Sequence, residues 1–324
     1  MISSYPYISF YTLLLSLADR ALLHTWDTPE VQDHCRAINT QEISANQKIA
    51  YFFCTPEQVH HALNYIHTSI FRWYFVLGRS DTELLPEVFS QIISQHNVIG
   101  IASQNTRITN EPRVMNIPIG IENYGWGRIE LGLENCPPGN DPFLLTNFHD
   151  LSSALSNKRR ISPRLLFSYS LGTNLGTRKA ILYSGLKNKY TRLQMPHSHF
   201  INNSDQNCLL EYLHASIESG YIVCPPGNGI DTHRFWQTLY LGLTPIIFKD
   251  FWLECYDHIV DYGYKVIILD SVAEIASLDL CSCDYISNNN YFEGFSLARK
   301  NNPLHVEYWS DRIRRHAEKL LLTQ

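Results

Sequence analysis

Short apolar runs alternate along the chain with longer segments in which apolar residues recur every three to four positions. The runs predict strands and the longer segments predict amphipathic helices. The predicted strands are 49–54, 73–77, 98–102, 114–119, 164–169, 221–224, 244–248 and 265–270. The predicted helices are 55–68, 87–95, 177–186, 205–218, 232–241, 253–262 and 304–321. This alternation predicts an α/β protein with mostly parallel sheets covered by helices.

Residues 124–163 interrupt the alternation with several glycines and prolines and a basic run at 158–160. Such a break is typical of a domain junction. We therefore expect two Rossmann-like domains that face each other across a cleft. They would span 1–155 and 156–303, and a final helical segment at 304–324 would pack back on the first domain. In sheets of this kind, ligands bind beyond the carboxyl ends of the strands.

Composition narrows the possible functions. The chain has 324 residues, of which 44% are hydrophobic and 18% charged, so it can bury a sizeable core. Its net charge of -5 offers no basic excess for DNA or RNA. The eight cysteines are scattered, and several lie in apolar runs, which indicates buried thiols in a reducing compartment. The apolar stretch 5–17 is too short for a membrane span and has no basic leader, so we expect a cytoplasmic protein.

The most informative segment is 219–248, which predicts a strand, a glycine-containing loop, a helix and a second strand. Pro226 ends the first strand, and Gly227 and Gly229 on either side of Asn228 allow the backbone to turn tightly and approach a ligand. The alternative is an ordinary α/β turn, in which prolines and glycines are also common.

The helix after this loop carries candidate ligands for a diphosphate. Asp231 or Thr232 would cap it, and His233 and Arg234 would lie in its first turn. Free amides at a helix start and an arginine fork suit phosphate oxygens. Gln237 lies one turn after Arg234 and would reach a ribose or base.

The order and spacing of these residues resemble the exostosin-like glycosyltransferases. Their C-terminal domain carries a Cys-Pro-x-Gly-x-Gly loop, an Arg-Phe-x-Glu-Ala-Leu helix and a Gly-x-x-Pro-Ile-Ile strand. The corresponding residues here are Cys224, Pro225, Gly227, Gly229, Arg234, Phe235, Gln237, Leu239, Gly242, Pro245, Ile246 and Ile247. Gln237 replaces the usual Glu of the family. The resemblance implies the two-domain GT-B fold, with an acceptor-side N-terminal domain and a C-terminal domain that binds a nucleotide sugar.

Three further stretches look like bacterial and viral members of that family. They are 76–81, the pair 102–105 and 117–122, and 166–174 together with Arg178. By this resemblance Gly172, Thr173 and Asn174 would add hydrogen bonds to the donor phosphates. Arg178 is the second candidate cation after Arg234, and its alternative is a solvated charge at a helix start.

The chemistry of transfer indicates what else to look for. No Asp-x-Asp triplet, the usual metal-binding motif of such enzymes, occurs in the chain, so we expect neither a metal nor a cofactor. An inverting reaction needs a base on the acceptor side. Asp81 follows a predicted strand and is the first candidate, with a helix N-cap as its alternative. Glu122 is the second, with a solvent-facing loop carboxylate as its alternative.

Together these features predict a metal-independent hexosyl- or pentosyltransferase of polysaccharide biosynthesis. Its donor would be a UDP- or GDP-sugar and its acceptor a glycan hydroxyl. A non-catalytic nucleotide- or sugar-binding module on the same fold is the alternative, which Gln237 favours. A hydrolase is disfavoured because no Gly-x-Ser-x-Gly elbow is present.

Overall fold

The structure, a computed structural model, describes residues 8, 10–22, 29–121, 163–193, 206–281 and 301–323. The chain divides into two compact units. Unit 1 comprises Met1–Gly125, Leu253–Cys255 and Arg299–Gln324, and unit 2 comprises Trp126–Trp252 and Tyr256–Ala298. The expected domain boundary at 155/156 lies outside the described residues.

Helices and strands alternate through most of the described chain. The helices are α1 (Phe10–Leu17), α2 (Pro29–Thr40), α3 (Val59–Ile66), α4 (Pro86–Ile93), α5 (Leu175–Gly185), α6 (Gln206–Ser219), α7 (His233–Tyr240), α8 (Glu254–Asp261) and α9 (Val306–Leu322). The strands are β1 (Arg20–Ala21), β2 (Ile49–Cys54), β3 (Arg72–Leu77), β4 (Val98–Ser103), β5 (Val114–Asn116), β6 (Arg164–Phe167), β7 (Thr191–Leu193), β8 (Gly220–Val223), β9 (Thr244–Phe248) and β10 (Ile267–Leu269).

Unit 1 contains a five-stranded parallel sheet in the order β1-β2-β3-β4-β5. Because the strands follow chain order, right-handed crossovers place the connecting helices on one face. On that face α3 and α4 bury their apolar sides against alternate residues of β2 and β3 and against Val98 and Ile101 of β4. Members of this core include Phe52, Trp73, Phe75, Ile66 and Ile92.

The other face of the unit 1 sheet is covered by α1 and α9. Gly100 in β4 allows close approach, because a Cβ there would overlap Leu320 of α9. His316 of α9 pairs with the hydroxyl of Tyr74 in β3 through Nδ1 at 2.5 Å. The hydroxyls of Ser16 and Ser310 join α1 to α9 at 2.7 Å. The C-terminal helix is therefore part of the unit 1 core.

Unit 2 contains a second five-stranded parallel sheet, in the order β7-β6-β8-β9-β10. Its core gathers the apolar residues of β6, β8 and β9, among them Leu165, Phe167, Val223 and Phe248. The α/β class and the two parallel sheets expected from the sequence are confirmed.

Several predicted bounds differ from the structure, and four helices and strands were not predicted. β2 and β9 have the predicted bounds, whereas β5 and β6 end earlier than expected. The elements α1, α2, β1 and β7 were not predicted. In α1 five of eight residues are buried, so it has little polar periodicity to recognise. β7 is only three residues long and none of them is buried.

The cysteines that the structure describes are thiols outside any disulfide bond. Cys35, Cys54, Cys224 and Cys255 are buried, and Cys281 is exposed. Within the described ranges, no helix is both long enough and apolar enough to cross a membrane.

Candidate functional site

The strand order of unit 2 identifies one edge of its sheet as the place for a ligand. The chain enters at β6, adds β7 on one side and then continues through β8, β9 and β10 on the other. The direction of strand addition thus reverses between the neighbours β6 and β8. In open α/β sheets, ligands bind beyond the carboxyl ends of the strands at such a switch point. The loops after β6 and β8 are the two that the sequence singled out.

The loop after β6 presents backbone groups at the start of α5. Gly172 and Asn174 are exposed and Thr173 is half-buried. The Gly172 amide donates to the Ser170 hydroxyl at 2.9 Å, which bends the loop. Asn174 lies at the N-cap with φ of 45°, and its side chain does not cap the helix. Uncapped first-turn amides are suited to an anionic ligand.

Arg178, one turn into α5, connects this loop to the loop after β8. Its Nε donates to the carbonyl oxygen of Pro226 at 2.9 Å, and its Nη1 donates to that of Ser170 at 2.7 Å. The guanidinium carbon lies 5.7 Å from the centre of the Tyr169 ring. The alternative interpretation, a merely solvated charge, is wrong, because the guanidinium has specific protein partners.

The loop after β8 runs from Cys224 to Thr232. Pro226 and Gly229 are buried, Gly227 is half-buried and Asn228 is exposed. Burial raises the pKa of the Cys224 thiol to about 12, although the positive charge of Arg234 acts to lower it. A thiol with so high a pKa is not a nucleophile near neutral pH.

The carboxylate of Asp231 forms hydrogen bonds within the protein. Asp231 is 3% exposed, and its carboxylate accepts from the Thr232 amide at 2.7 Å, the Trp236 indole nitrogen at 2.9 Å and the Tyr256 hydroxyl at 2.7 Å. Thr232 is the N-cap residue of α7 but makes no side-chain cap hydrogen bond. Asp231 therefore orients the start of α7 and two buried aromatic side chains.

Helix α7 carries the second arginine of the site. The Arg234 guanidinium carbon lies 5.0 Å from the centre of the Tyr212 ring. Its Nη1 is shielded from solvent and has no hydrogen-bond partner among the described residues. His233 and Gln237, also named from the sequence, are half-buried on the same helix. Gly242 ends the helix with φ of 69°, as its C′ position predicts.

The two arginines share one neighbourhood. Burial raises the pKa of the Tyr169 hydroxyl, and the charges of Arg178 and then Arg234 partly offset this effect. Both guanidinium groups therefore act on the same tyrosine at the carboxyl edge of β6. Tyr212 was missed because it lies on the helical face of α6, where an aromatic residue is indistinguishable from ordinary core.

In unit 1, the segments 76–81, 102–105 and 117–121 meet at the carboxyl edge of the sheet. The Gln104 side chain accepts from the Arg79 amide at 2.9 Å and donates to the Pro118 carbonyl at 3.0 Å. The Asn105 side chain donates to the Ser80 carbonyl at 3.0 Å. Gly120, with φ of 71°, passes so close to Ile8 that a Cβ would overlap its carbonyl oxygen.

Asp81 lies exposed in this region. The alternative role as a helix cap is wrong, because α4 begins at Pro86 and its N-cap is Leu85. Glu122, the second candidate base, lies outside the described residues.

Glu57 was not predicted as a site residue. Its carboxylate accepts from the hydroxyls of Ser80 and Thr82, on either side of Asp81. Partial burial opposes its ionisation, but hydrogen bonds from Ser80, Thr82, its own amide and Thr55 outweigh this and lower the pKa of Glu57 to about 2. Glu57 follows β2, the neighbour of β3, so the strand-end rule could have found it.

Within the residues that the structure describes, no group of three or more His, Cys, Asp or Glu side chains is placed to hold a metal ion. Metal independence of the protein remains a prediction.

Comparison with known proteins adds a likeness of fold only. No family model and no curated protein matches the chain. One similar solved structure is "Trehalose-6-phosphate from E. coli bound with UDP-2-fluoro glucose". It is 10% identical, with 84% of this chain and 74% of that chain covered, at a TM-score of 0.42. A likeness this distant carries no information about substrate or reaction.

Proposed function

We propose that this protein is a glycosyltransferase that moves a hexosyl or pentosyl unit from a UDP- or GDP-sugar to a glycan hydroxyl. The observation that carries the proposal is Arg234, whose buried Nη1 has no described partner at the switch-point edge of unit 2. A buried donor without an acceptor costs free energy, and a phosphate oxygen that accepts from it would remove that cost. The resemblance of 224–247 to exostosin-like enzymes supports the same assignment, and with it we propose a role in polysaccharide biosynthesis.

On the donor side, the protein must stabilise the charge of a leaving nucleoside diphosphate. Arg234 is only half-buried, and we expect its guanidinium to reach a phosphate oxygen by a change of side-chain torsions. The loop amides around 172–174 and 227–229, with the starts of α5 and α7, add hydrogen bonds. Fixed donors of this kind stabilise developing negative charge without a metal or cofactor.

On the acceptor side, we assign the base to Asp81, with Glu122 as the second candidate. The carboxylate takes the proton of the acceptor hydroxyl while the oxygen of that hydroxyl forms a bond to the anomeric carbon. The bond between that carbon and the phosphate oxygen breaks, and the electron pair leaves with the diphosphate. Attack opposite the leaving group inverts the anomeric configuration.

A non-catalytic nucleotide- or sugar-binding module is the second candidate. Gln237 favours it, since it offers a ribose hydrogen bonds without the charge of the usual Glu. Thermal stabilisation of the protein by UDP-, GDP- and CMP-sugars, followed by a turnover assay, separates the two. Stabilisation with sugar transfer or donor hydrolysis supports the enzyme, and stabilisation without turnover supports the module. No stabilisation by any of these ligands contradicts both.

Replacing Arg234 with Ala tests the donor site. Hydrogen bonds to charged groups contribute roughly 1.5–3 kcal/mol, so nucleoside diphosphate affinity should fall about 10- to 100-fold. Isothermal titration calorimetry measures the change. Arg164→Ala is the matched control, because it removes the same charge from an exposed position at the opposite end of β6. Equal affinity of Arg234→Ala and the unmodified protein would refute the assignment.

Replacing Asp81 with Asn tests the base. Transfer should be abolished while calorimetric donor affinity stays unchanged, because the amide cannot accept the acceptor proton. Asp33→Asn on α2 is the control, an exposed carboxylate of the same unit. Normal turnover by the Asp81 variant would eliminate this residue as the base.

A further inference from the structure

Arg178 and Arg234 differ in what their guanidinium groups contact. Two nitrogens of Arg178 donate to main-chain carbonyls, those of Ser170 and Pro226, which are 56 residues apart in sequence. One carbonyl belongs to the loop after β6 and the other to the loop after β8. Arg234 lies over Tyr212, and its Nη1 has no acceptor among the described residues.

The two loops need such a connection because the strand ladder stops before them. The paired residues of β6 and β8 end at Leu166 and Ile222. The amide of Cys224 points to the other neighbouring strand, donating to the carbonyl of Ile246 in β9 at 2.9 Å. Beyond that point, the side chain of Arg178 provides hydrogen bonds from one loop to the other.

The surroundings of Arg178 hold its guanidinium in place. The Tyr169 ring lies against it, and the Tyr169 hydroxyl donates to the carbonyl oxygen of Arg178 at 3.3 Å. The backbone of Gly227 passes close to it, since a Cβ there would lie 3.4 Å from Nη2. A planar guanidinium can serve two acceptors in fixed directions, whereas a lysine ammonium has no such fork.

We propose that Arg178 is a positioning residue that holds the loop 224–229 on the loop 168–174, and that Arg234 rather than Arg178 contacts the donor phosphates. This inference rests on the proposed donor site and assigns different roles to its two cations. Loss of Arg178 then displaces the binding surface as a whole, whereas loss of Arg234 removes one phosphate contact.

Binding of a nucleoside and its diphosphate distinguishes these roles. Uridine and UDP, or guanosine and GDP, are titrated against the unmodified protein, Arg178→Ala, Arg178→Lys, Arg234→Ala and Arg164→Ala. Both Arg178 variants should weaken nucleoside and diphosphate by the same factor, about tenfold. Arg234→Ala should weaken only the diphosphate, and Arg164→Ala neither. A loss confined to the diphosphate in the Arg178 variants would identify Arg178 as a phosphate ligand and overturn the proposal.

Hydrogen exchange tests the loop connection without any nucleotide. Amides of 224–232 should exchange at least about tenfold faster in Arg178→Ala and Arg178→Lys, while those of β2 and β3 in unit 1 stay protected. Arg234→Ala and Arg164→Ala should leave the loop unchanged. Unchanged exchange in both Arg178 variants would overturn the proposal. If the unmodified protein binds no nucleotide, the proposed function fails, and this measurement still decides whether Arg178 holds the loops.

Discussion

Replacing Asp231 with Ala should destabilise unit 2 severely. The substitution removes the carboxylate that accepts from the Trp236 indole N–H and the Tyr256 hydroxyl, at side chains that are 0% and 1% exposed. Loss of a buried hydrogen bond of this kind costs about 1–3 kcal/mol, and the Thr232 amide loses its bond to Asp231 as well. We expect a total loss of roughly 3–5 kcal/mol, within the range measured when a buried polar network is broken.

The assay is urea unfolding followed by tryptophan fluorescence, with thermal unfolding as a second measurement. For a unit of this size, such a loss lowers Tm by roughly 10 °C. Asp257→Ala is the matched control, because Asp257 also accepts from an indole five residues away, that of Trp252, but at an exposed site. It should cost less than about 1 kcal/mol. Equal losses in the two variants would refute the reasoning.

Asp231→Asn separates this structural role from contact with a ligand. The amide keeps one acceptor oxygen in nearly the same shape, so its cost should be roughly 1–2 kcal/mol. Donor affinity should remain close to that of the unmodified protein. Unchanged stability combined with tenfold weaker nucleotide binding would instead place Asp231 in the donor site, as the sequence first indicated.

Two predictions concern pH. Because the pKa of Glu57 is lowered from 4.5 to about 2, its stabilising effect is complete above pH 4.5 and declines as pH falls toward 2. The difference in unfolding free energy between the protein and Glu57→Gln should therefore shrink on acidification; a constant difference would contradict it. Burial lowers the pKa of His316 below 6.5, although the hydrogen bond with the Pro112 carbonyl opposes this shift. The free energy of unfolding should therefore fall as pH drops below 6.5. His316→Gln should reduce that slope in unfolding titrations, and an identical slope would exclude this residue as its source.

Much of the fold was predictable because most of its strands are short, largely apolar and bounded by turn residues. The runs 49–54 and 244–248 are strands with the same bounds in the structure. Strand order was not predictable in the same way. The reversal between β6 and β8 depends on where β7 pairs, and β7 is a half-exposed triplet with no apolar signature.

The candidate site was located more readily than its residues were assigned to roles. Gly242, with its positive φ at the helix C′ position, has a local backbone requirement that sequence expresses directly. The role of Asp231 depends on Tyr256, which lies 25 residues away and meets it only in the folded core. A carboxylate next to a helix start predicts a cap or a ligand contact equally well, and tertiary packing decides between them.

The two arginines show why residue type and position do not settle function at such a site. Each lies in the first turns of a helix at the same sheet edge, where either would suit a phosphate. Arg178 donates hydrogen bonds to two loop carbonyl oxygens, so its guanidinium already has acceptors within the protein. Arg234 meets an aromatic ring and keeps a donor that nothing in the described chain satisfies. An anionic ligand gains more from the second, because binding there removes an existing desolvation cost without breaking a protein hydrogen bond.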